Sequence, residues 1–300
     1  MNHLYWSSHD LFWKLWNKIS YTLKPRDFGK RQDTFPYLSS DGYALRSFEC
    51  VERNANTKEL VDAIERTPSD SILYIPGHLV REASLILERN KKNFRKVIIG
   101  DDDDAQSDET LRILSEYSRV IQSVNLVETQ EGHTALPLGL ESPSYRSGGR
   151  LRDFKNEPSN DVKDRPISFI VAWNPNTNNN KRSEAMKYFK MASDSFISQK
   201  RITASTLHQL MRRSLFVPCP RGNGVDSHRI WEALYLGSIP VLLREDVFPA
   251  LAEWPIWIVD SWLDVLDFSR SKLEDKYQSV IEPHEKILKK SVEIYEDISR

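Results

Sequence analysis

The sequence predicts an α/β protein made of two domains, each built on a parallel β-sheet. Three observations carry that expectation. Short apolar runs that read as buried strands alternate with helical patterns through both halves of the chain. The links between them are short, which favours parallel strands joined by helical crossovers. Between residues 141 and 165 the apolar periodicity gives way to Ser, Gly, Arg, Asp, Asn and Pro, the composition of a linker. The 300-residue length suits two domains of ordinary size.

The chain opens on residues 1–24, in which Leu4, Tyr5, Trp6, Leu11, Phe12, Trp13, Leu15, Trp16, Ile19 and Leu23 crowd one segment. Asp10 is a fit N-cap for a helix that stops before Pro25. Such a helix either packs its aromatic face on the body or lies at a membrane interface with Lys14, Lys18 and Lys24 outward. A polar face that is not strongly basic favours packing, and peripheral membrane contact through residues 4–23 stays the alternative.

Residues 25–145 read as the first domain. After an irregular start come a strand within Tyr43–Cys50, a helix over Glu59–Arg66 and a buried strand over Ser71–Pro76, which Pro76-Gly77 ends. A helix over Leu79–Lys91, a strand over Lys96–Gly100, the acidic run Asp101–Asp104, a helix over Asp108–Tyr117 and a strand over Val120–Leu126 follow. His133–Leu140 closes this half, and residues 146–165 form the linker. The second domain, 166–300, restarts with a strand over Ile167–Trp173, a polar loop over Asn174–Asn180 and helices over Arg182–Met191 and Ser205–Arg213. Strands over Ser214–Cys219, Ile239–Leu243 and Ile256–Val259 enclose a helix over Ser227–Leu236. Helices over Lys272–Tyr277 and His284–Ile298 end the chain, the last placed to pack back on the first domain.

Charge and cysteine content narrow the function. Lys and Arg total 42 against 43 Asp and Glu, so nothing electrostatic points to nucleic acid as a partner. Two cysteines, Cys50 and Cys219, exclude a disulfide framework and a cysteine-rich zinc site. No apolar stretch reaches the roughly 18 residues of a membrane span, and charged residues interrupt the N-terminal segment where a signal peptide would be apolar. A cytoplasmic location is therefore expected.

The chemistry concentrates in Ser214–Asp246. A buried strand there ends at Pro220-Arg221-Gly222-Asn223-Gly224, and a helix begins at Asp226 or Ser227, both good N-caps. Gly222 and Gly224 let a ligand approach the backbone. The helix start offers unpaired N–H groups to a phosphate, with Arg221, His228 and Arg229 as side-chain donors nearby. Glu232, four residues beyond His228 and three beyond Arg229, lies on the same helix side. It either accepts ribose hydroxyls, as an acid does in dinucleotide sites, or pairs with Arg229 as an exposed ion pair worth about 0–1 kcal/mol. Gly237 stops the helix, and a buried strand follows.

The run CPRGNGVDSHRIWEALYLGSIPVLL resembles the exostosin-like glycosyltransferases (glycosyltransferase family 47 and its relatives), in which a Cys/Pro-Arg-Gly turn precedes Ser-x-Arg, Glu-Ala-Leu and Gly-x-Ile-Pro-Val. The likeness covers about thirty residues. Leu136–Leu140 resembles the family's Pro-x-Gly segment, and Ile167–Arg182, with Asn176, Thr177 and Arg182, its first C-domain strand and phosphate-side loop. The resemblance implies a GT-B-like architecture, two Rossmann-like domains facing each other across a cleft. It implies a nucleotide-diphosphate sugar donor, UDP-linked in the first instance, and transfer with inversion to a hydroxyl of a glycan or glycoconjugate acceptor. Arg182, Arg221, Gly222, Asn223, Gly224, Ser227, His228, Arg229 and Glu232 are then the expected donor-binding residues. Ser238 departs from the family, which often has Cys there, and the first half matches poorly, so the resemblance assigns neither acceptor nor catalytic base.

The base is expected from the first domain: Asp101, Asp103 or His78, each at a strand end, with His133 a further histidine of suitable chemistry. Asp101–Asp104 also invites a divalent-metal reading, but four adjacent carboxylates cannot all face one ion, so no metal or other cofactor is expected. Cys219, at the end of a buried strand, reads as a small hydrophobe and not as a nucleophile. Trp173, Trp231, Trp254, Trp257 and Trp262 read as core or wall. A non-catalytic nucleotide-sugar- or glycan-binding protein on the same fold is the alternative to a transferase, and a phosphohydrolase using the Asp run is a third reading.

Overall fold

The computed structural model describes residues 30–143, 151–174, 177–192, 194–198 and 202–300. The aromatic segment 4–23, residues 146–150 of the linker and Asn176 lie outside the described residues.

The first half forms α1 (Ser40–Ala44), β1 (Glu49–Cys50), α2 (Thr57–Arg66), β2 (Ile72–Pro76), α3 (Val80–Asn90), β3 (Phe94–Gly100), α4 (Asp108–Ser115), β4 (Ser118–Ser123) and β5 (His133–Ala135). The five strands pair in chain order, all parallel; Ile72 lies beside Lys96, and Lys96 beside Val120. Strands added in one direction put successive crossover helices on one face. Leu73, Ile75, Val97, Ile99 and Ile121 accordingly meet Leu60, Ile64, Val80, Leu87 and Leu114 of α2, α3 and α4. Of the strand expected within Tyr43–Cys50 only β1 forms: Ser39 caps α1 by accepting the Gly42 N–H, Tyr43 and Ala44 belong to that helix with Tyr43 in the core, and a turn over 45–48 leads into Glu49–Cys50.

The second half forms β6 (Ile167–Val171), α5 (Asn179–Phe189), β7 (Ser195–Ile197), α6 (Ala204–Arg212), β8 (Ser214–Pro218), α7 (His228–Tyr235), β9 (Ile239–Leu243), β10 (Trp257–Val259), α8 (Arg270–Val280) and α9 (His284–Ser299). Its strands are also parallel, but their order is β7-β6-β8-β9-β10. The direction of winding therefore reverses at β6. α5 and α8 cover one face through Phe189, Leu273 and Tyr277, and α6 and α7 the other through Met211 and Ile230. Both sheets are compatible with a Rossmann-like arrangement.

The second face of the first sheet has no crossover helix. Ile72, Tyr74 and Ile98 on that face belong to one apolar cluster with Trp231 and Tyr235 of α7 and Ile287, Tyr295 and Ile298 of α9. Lys96 donates to the Asp297 carbonyl and Gln122 to its carboxylate, so α9 is tied to the first sheet. The described part of the linker is packed as well. Phe154 is buried, and Arg165 is fully buried, its guanidinium donating to the carbonyls of Ser159, Met211, Ser214 and Leu236.

Among the described residues, no helix is long and apolar enough to cross a membrane.

Candidate functional site

Where winding reverses, the chain leaves two neighbouring strands in opposite directions and a crevice opens beyond their carboxyl ends. In this protein the reversal lies between β6 and β8. A cavity of about 340 Å³ opens there, lined by Trp173, Asn174 and Thr177 after β6, by Cys219 to Gly224 except Arg221 after β8, and by Ser227, His228, Arg229 and Glu232 of α7 and its cap. Asp103, Leu138 and Glu141 of the first half close it. A second cavity of about 560 Å³ adjoins it, lined by Ser40, Asp101–Asp104 and Ser142. Asp103, Leu138, Glu141, Asn223 and His228 border both.

The polar groups of the first cavity are incompletely paired. Trp173 Nε1 and Arg182 Nε are buried atoms without a hydrogen-bond partner among the described residues, and Arg229 Nη1 and Glu232 Oε2, which make no hydrogen bond either, face each other as an ion pair. Buried polar atoms are normally satisfied, so the two that lack any partner, Trp173 Nε1 and Arg182 Nε, set this cavity wall apart. Arg182 runs over Gly222, where a Cβ would come within 2.8 Å of its Nη2, and Asn178 braces the same glycine by donating to its carbonyl. Burial, and then the like charge of Arg229, push the Arg182 guanidinium below its ordinary pKa. Two guanidiniums that disfavour each other offer a strong position for a dianion.

Glu232 is not an exposed ion pair. Its side chain is 13% exposed, with Oε2 3.3 Å from Arg229 Nη1 and Oε1 3.5 Å from His208 Nε2. Burial alone would raise its carboxyl pKa, but Arg229 and His208 outweigh that and lower it. His208 is buried between two acids, with Nδ1 2.9 Å from Asp153 Oδ2. Burial pushes its pKa down, yet Glu232 and Asp153 together raise it, so the imidazolium is favoured. Glu232 thus pairs with Arg229, as a buried pair and not an exposed one, and also lines the cavity.

The start of α7 differs from the expected phosphate cradle. Ser227 is its N-cap and accepts the Arg229 N–H. Asp226, just before it, is buried and accepts from Ser227 N, Leu138 N and Trp231 Nε1. Burial pushes its carboxyl up to about 6. This built-in carboxylate sits where an incoming phosphate was expected to meet the helix dipole, and Arg182 and Arg229 are the arginines that line the cavity.

The other expected residues divide clearly. Asn223 and Gly224 line the cavity as foreseen, whereas Arg221 lines neither cavity. Of the base candidates, Asp103 borders both cavities. Asp101 borders the second cavity, but its carboxylate is 1% exposed, accepting from Arg31 and Tyr74 at 2.8 Å each and paired with Arg53. That engagement removes it as a base. His78 is exposed and lines neither cavity, and His133 has both ring nitrogens occupied, by Ser115 and Gln130. Trp231 is core, edge-on to Trp254. Among the described residues no group of three or more His, Cys, Asp and Glu side chains could hold a metal ion.

Sequence reasoning did not find Asn125, which joins the halves by donating to Asp102 O at 2.7 Å and accepting from Asp226 N at 2.9 Å. Nor did it find the pair Asp153 and His208, whose members sit 55 residues apart and meet only through packing. Trp173 had a legible signal, since it lies just past the first strand of its domain, and open α/β sheets place ligands beyond strand ends.

Compared with known protein families, the chain matches no family, and no curated protein matches it.

Proposed function

We propose that this chain is a glycosyltransferase of the exostosin-like, GT-B type, which moves a sugar from a nucleotide-diphosphate sugar to a hydroxyl of a glycan or glycoconjugate acceptor with inversion. The observation that carries the reading is the cavity at the β6/β8 reversal, with two arginines, two glycines, a buried Arg229–Glu232 pair and the unpartnered Trp173 Nε1 and Arg182 Nε on its wall. In this reading Arg182 and Arg229 hold the diphosphate and stabilise its charge as it leaves. Glu232 takes the ribose hydroxyls, and Trp173 flanks the base. The two halves form the GT-B cleft, and the acceptor comes from the second cavity, whose carboxylates can accept bonds from sugar hydroxyls. The donor is UDP-linked.

The test is a panel of UDP, UDP-sugars, GDP-mannose and dTDP-glucose, first by thermal shift and then by calorimetry. A ligand at a hundred times its Kd raises stability by about 2.7 kcal/mol, which a melting curve resolves. The expected result is stabilisation by one nucleotide class. No shift with any member at millimolar concentration refutes the reading. Binding without turnover in the presence of simple glycoside acceptors would return the chain to the non-catalytic class.

A further inference from the structure

We infer that His228 is the base of the reaction, its Nε2 taking the proton from the attacking hydroxyl. The inference rests on the transferase reading above and assigns a residue that the resemblance leaves open. His228 borders both the cavity with the arginines and the cavity with the carboxylates, so it stands where the two substrates must meet. Its Nδ1 lies 2.8 Å from the Gly139 carbonyl oxygen, which can only accept. Nδ1 therefore carries the hydrogen, and in the neutral ring Nε2 carries the lone pair. A base held by its other nitrogen in one tautomer is the usual arrangement for histidine in general-base catalysis.

The competing groups are placed differently. Asp103 borders both cavities too, but it is exposed and no described side chain orients it. His208 faces a carboxylate with each nitrogen, which favours its protonated form. The charged groups around His228 are Asp103 and Glu141 across the partition, Asp226 before it, and Arg229 and Glu232 on its own helix. In the step itself the acceptor oxygen forms a bond to the anomeric carbon as its proton passes to Nε2. The bond from that carbon to the phosphate oxygen breaks, and the nucleoside diphosphate leaves with the electron pair beside Arg182 and Arg229. The imidazolium then returns its proton to water through the open cavity.

His228→Asn tests this on the full chain, since the Asn amide can still donate to Gly139 O but offers no base. The probes are UDP-glucose, UDP-galactose, UDP-N-acetylglucosamine and UDP-xylose, with water and simple alkyl glycosides as acceptors. Nucleotide affinity is read by calorimetry, and turnover by nucleotide release across pH 5–9. The expected result is affinity within about twofold of the parent, turnover down by about 10²–10⁴, and loss of the acid limb of the pH profile. Turnover within fivefold of the parent overturns the assignment. So does a parallel fall in affinity and turnover, which would make His228 a phosphate ligand. If Asp103→Asn removes the acid limb and His228→Asn keeps it, the base is Asp103. A parent chain that binds no nucleotide refutes the transferase reading itself, while binding without turnover under all conditions overturns the base and leaves the nucleotide site standing.

Discussion

Replacing Arg182 by Met separates function from stability in a way that no merely structural arginine would. Arg182 Nη1 donates to Asn174 O at 3.0 Å, and losing one such bond costs about 1 kcal/mol. Against that cost stand the burial of the guanidinium and the like charge of Arg229, both of which disfavour the charged form. Met keeps the length and the apolar stem over Gly222 and removes the repulsion. The net change in folding free energy is therefore close to zero, and the melting temperature should stay within about 4 °C of the parent. A charge-assisted bond to phosphate is worth about 1.5–3 kcal/mol, so nucleotide-diphosphate affinity should fall by about tenfold to a hundredfold. The affinity gap should narrow as salt is raised, because the lost contribution is electrostatic. Calorimetry with UDP and scanning calorimetry of the same samples give both numbers. A loss of more than about 3 kcal/mol in stability with unchanged affinity would show that Arg182 only braces the Gly222 loop, and the reasoning would fail.

Other substitutions probe neighbouring features. Gly224→Ala would drive a Cβ into the Asp103 carbonyl oxygen and to 2.9 Å from Asn125 Oδ1, so denaturant titration should show a loss of about 1–3 kcal/mol. Glu232→Gln leaves His208 and Arg229 without their shared carboxylate and should cost about 1–3 kcal/mol by the same titration, well beyond an exposed pair; a shift under 0.5 kcal/mol would contradict the buried geometry. Asp226 has its pKa raised from 3.8 to about 6, so its burial is penalised when ionised and that penalty vanishes as pH falls through 6 towards 4. Asp226→Asn should therefore gain on the parent by about 2 kcal/mol between pH 4 and pH 7, and a difference that is flat with pH refutes the assignment. Turnover with the best donor should persist in chelator, since Arg182 and Arg229 are proposed to neutralise the diphosphate; abolition reversed by Mg²⁺ would count against that role.

Periodicity made most of the central elements readable. The strand over Ile239–Leu243 has the expected bounds, and β2, β3, β6 and β8 lie within two residues of theirs at each end. The short edge strands β5 (His-Thr-Ala) and β7 (Ser-Phe-Ile) were not separable from loop, because polar residues break so brief a run, whereas the equally short β10 is a wholly apolar Trp-Ile-Val. The winding of each sheet was also invisible, since strand order is decided by which faces pack and not by any one segment. Arg165 shows the same limit from another side. A basic residue in a polar stretch reads as solvated, yet it is fully buried because the nearby Ser159 carbonyl and three from distant parts of the chain converge on it. Within the site, the glycines and Arg229 were legible from local spacing. The engagement of Asp101, the carboxylate of Asp226 at the helix start and the burial of Glu232 depend on partners brought in from elsewhere in the chain.

The different windings of the two sheets explain why the site lies where it does. The first sheet, wound in one direction, leaves a face that its own helices cannot cover, and α7 and α9 of the second half cover it. α7 thereby becomes shared: Trp231 and Tyr235 are core for both halves, while His228, Arg229 and Glu232 at its start face the cavity. Tyr235 OH accepts the Leu38 N–H at 3.1 Å and pairs with Ser291 of α9 at 2.8 Å. Asp226 accepts the Leu138 N–H at 2.7 Å, and Asn125 accepts the Asp226 N–H. The bonds of Leu38, Leu138 and Asn125 cross from one half to the other, while that of Ser291 ties α7 to α9 within the second half. Sliding the halves apart would strip donors from a buried carboxylate, an arrangement whose loss costs several kcal/mol. The spacing between the arginine wall and the carboxylate wall is therefore fixed by the same contacts that fill the core, which is the rigidity that the proposed transfer between two bound substrates would require.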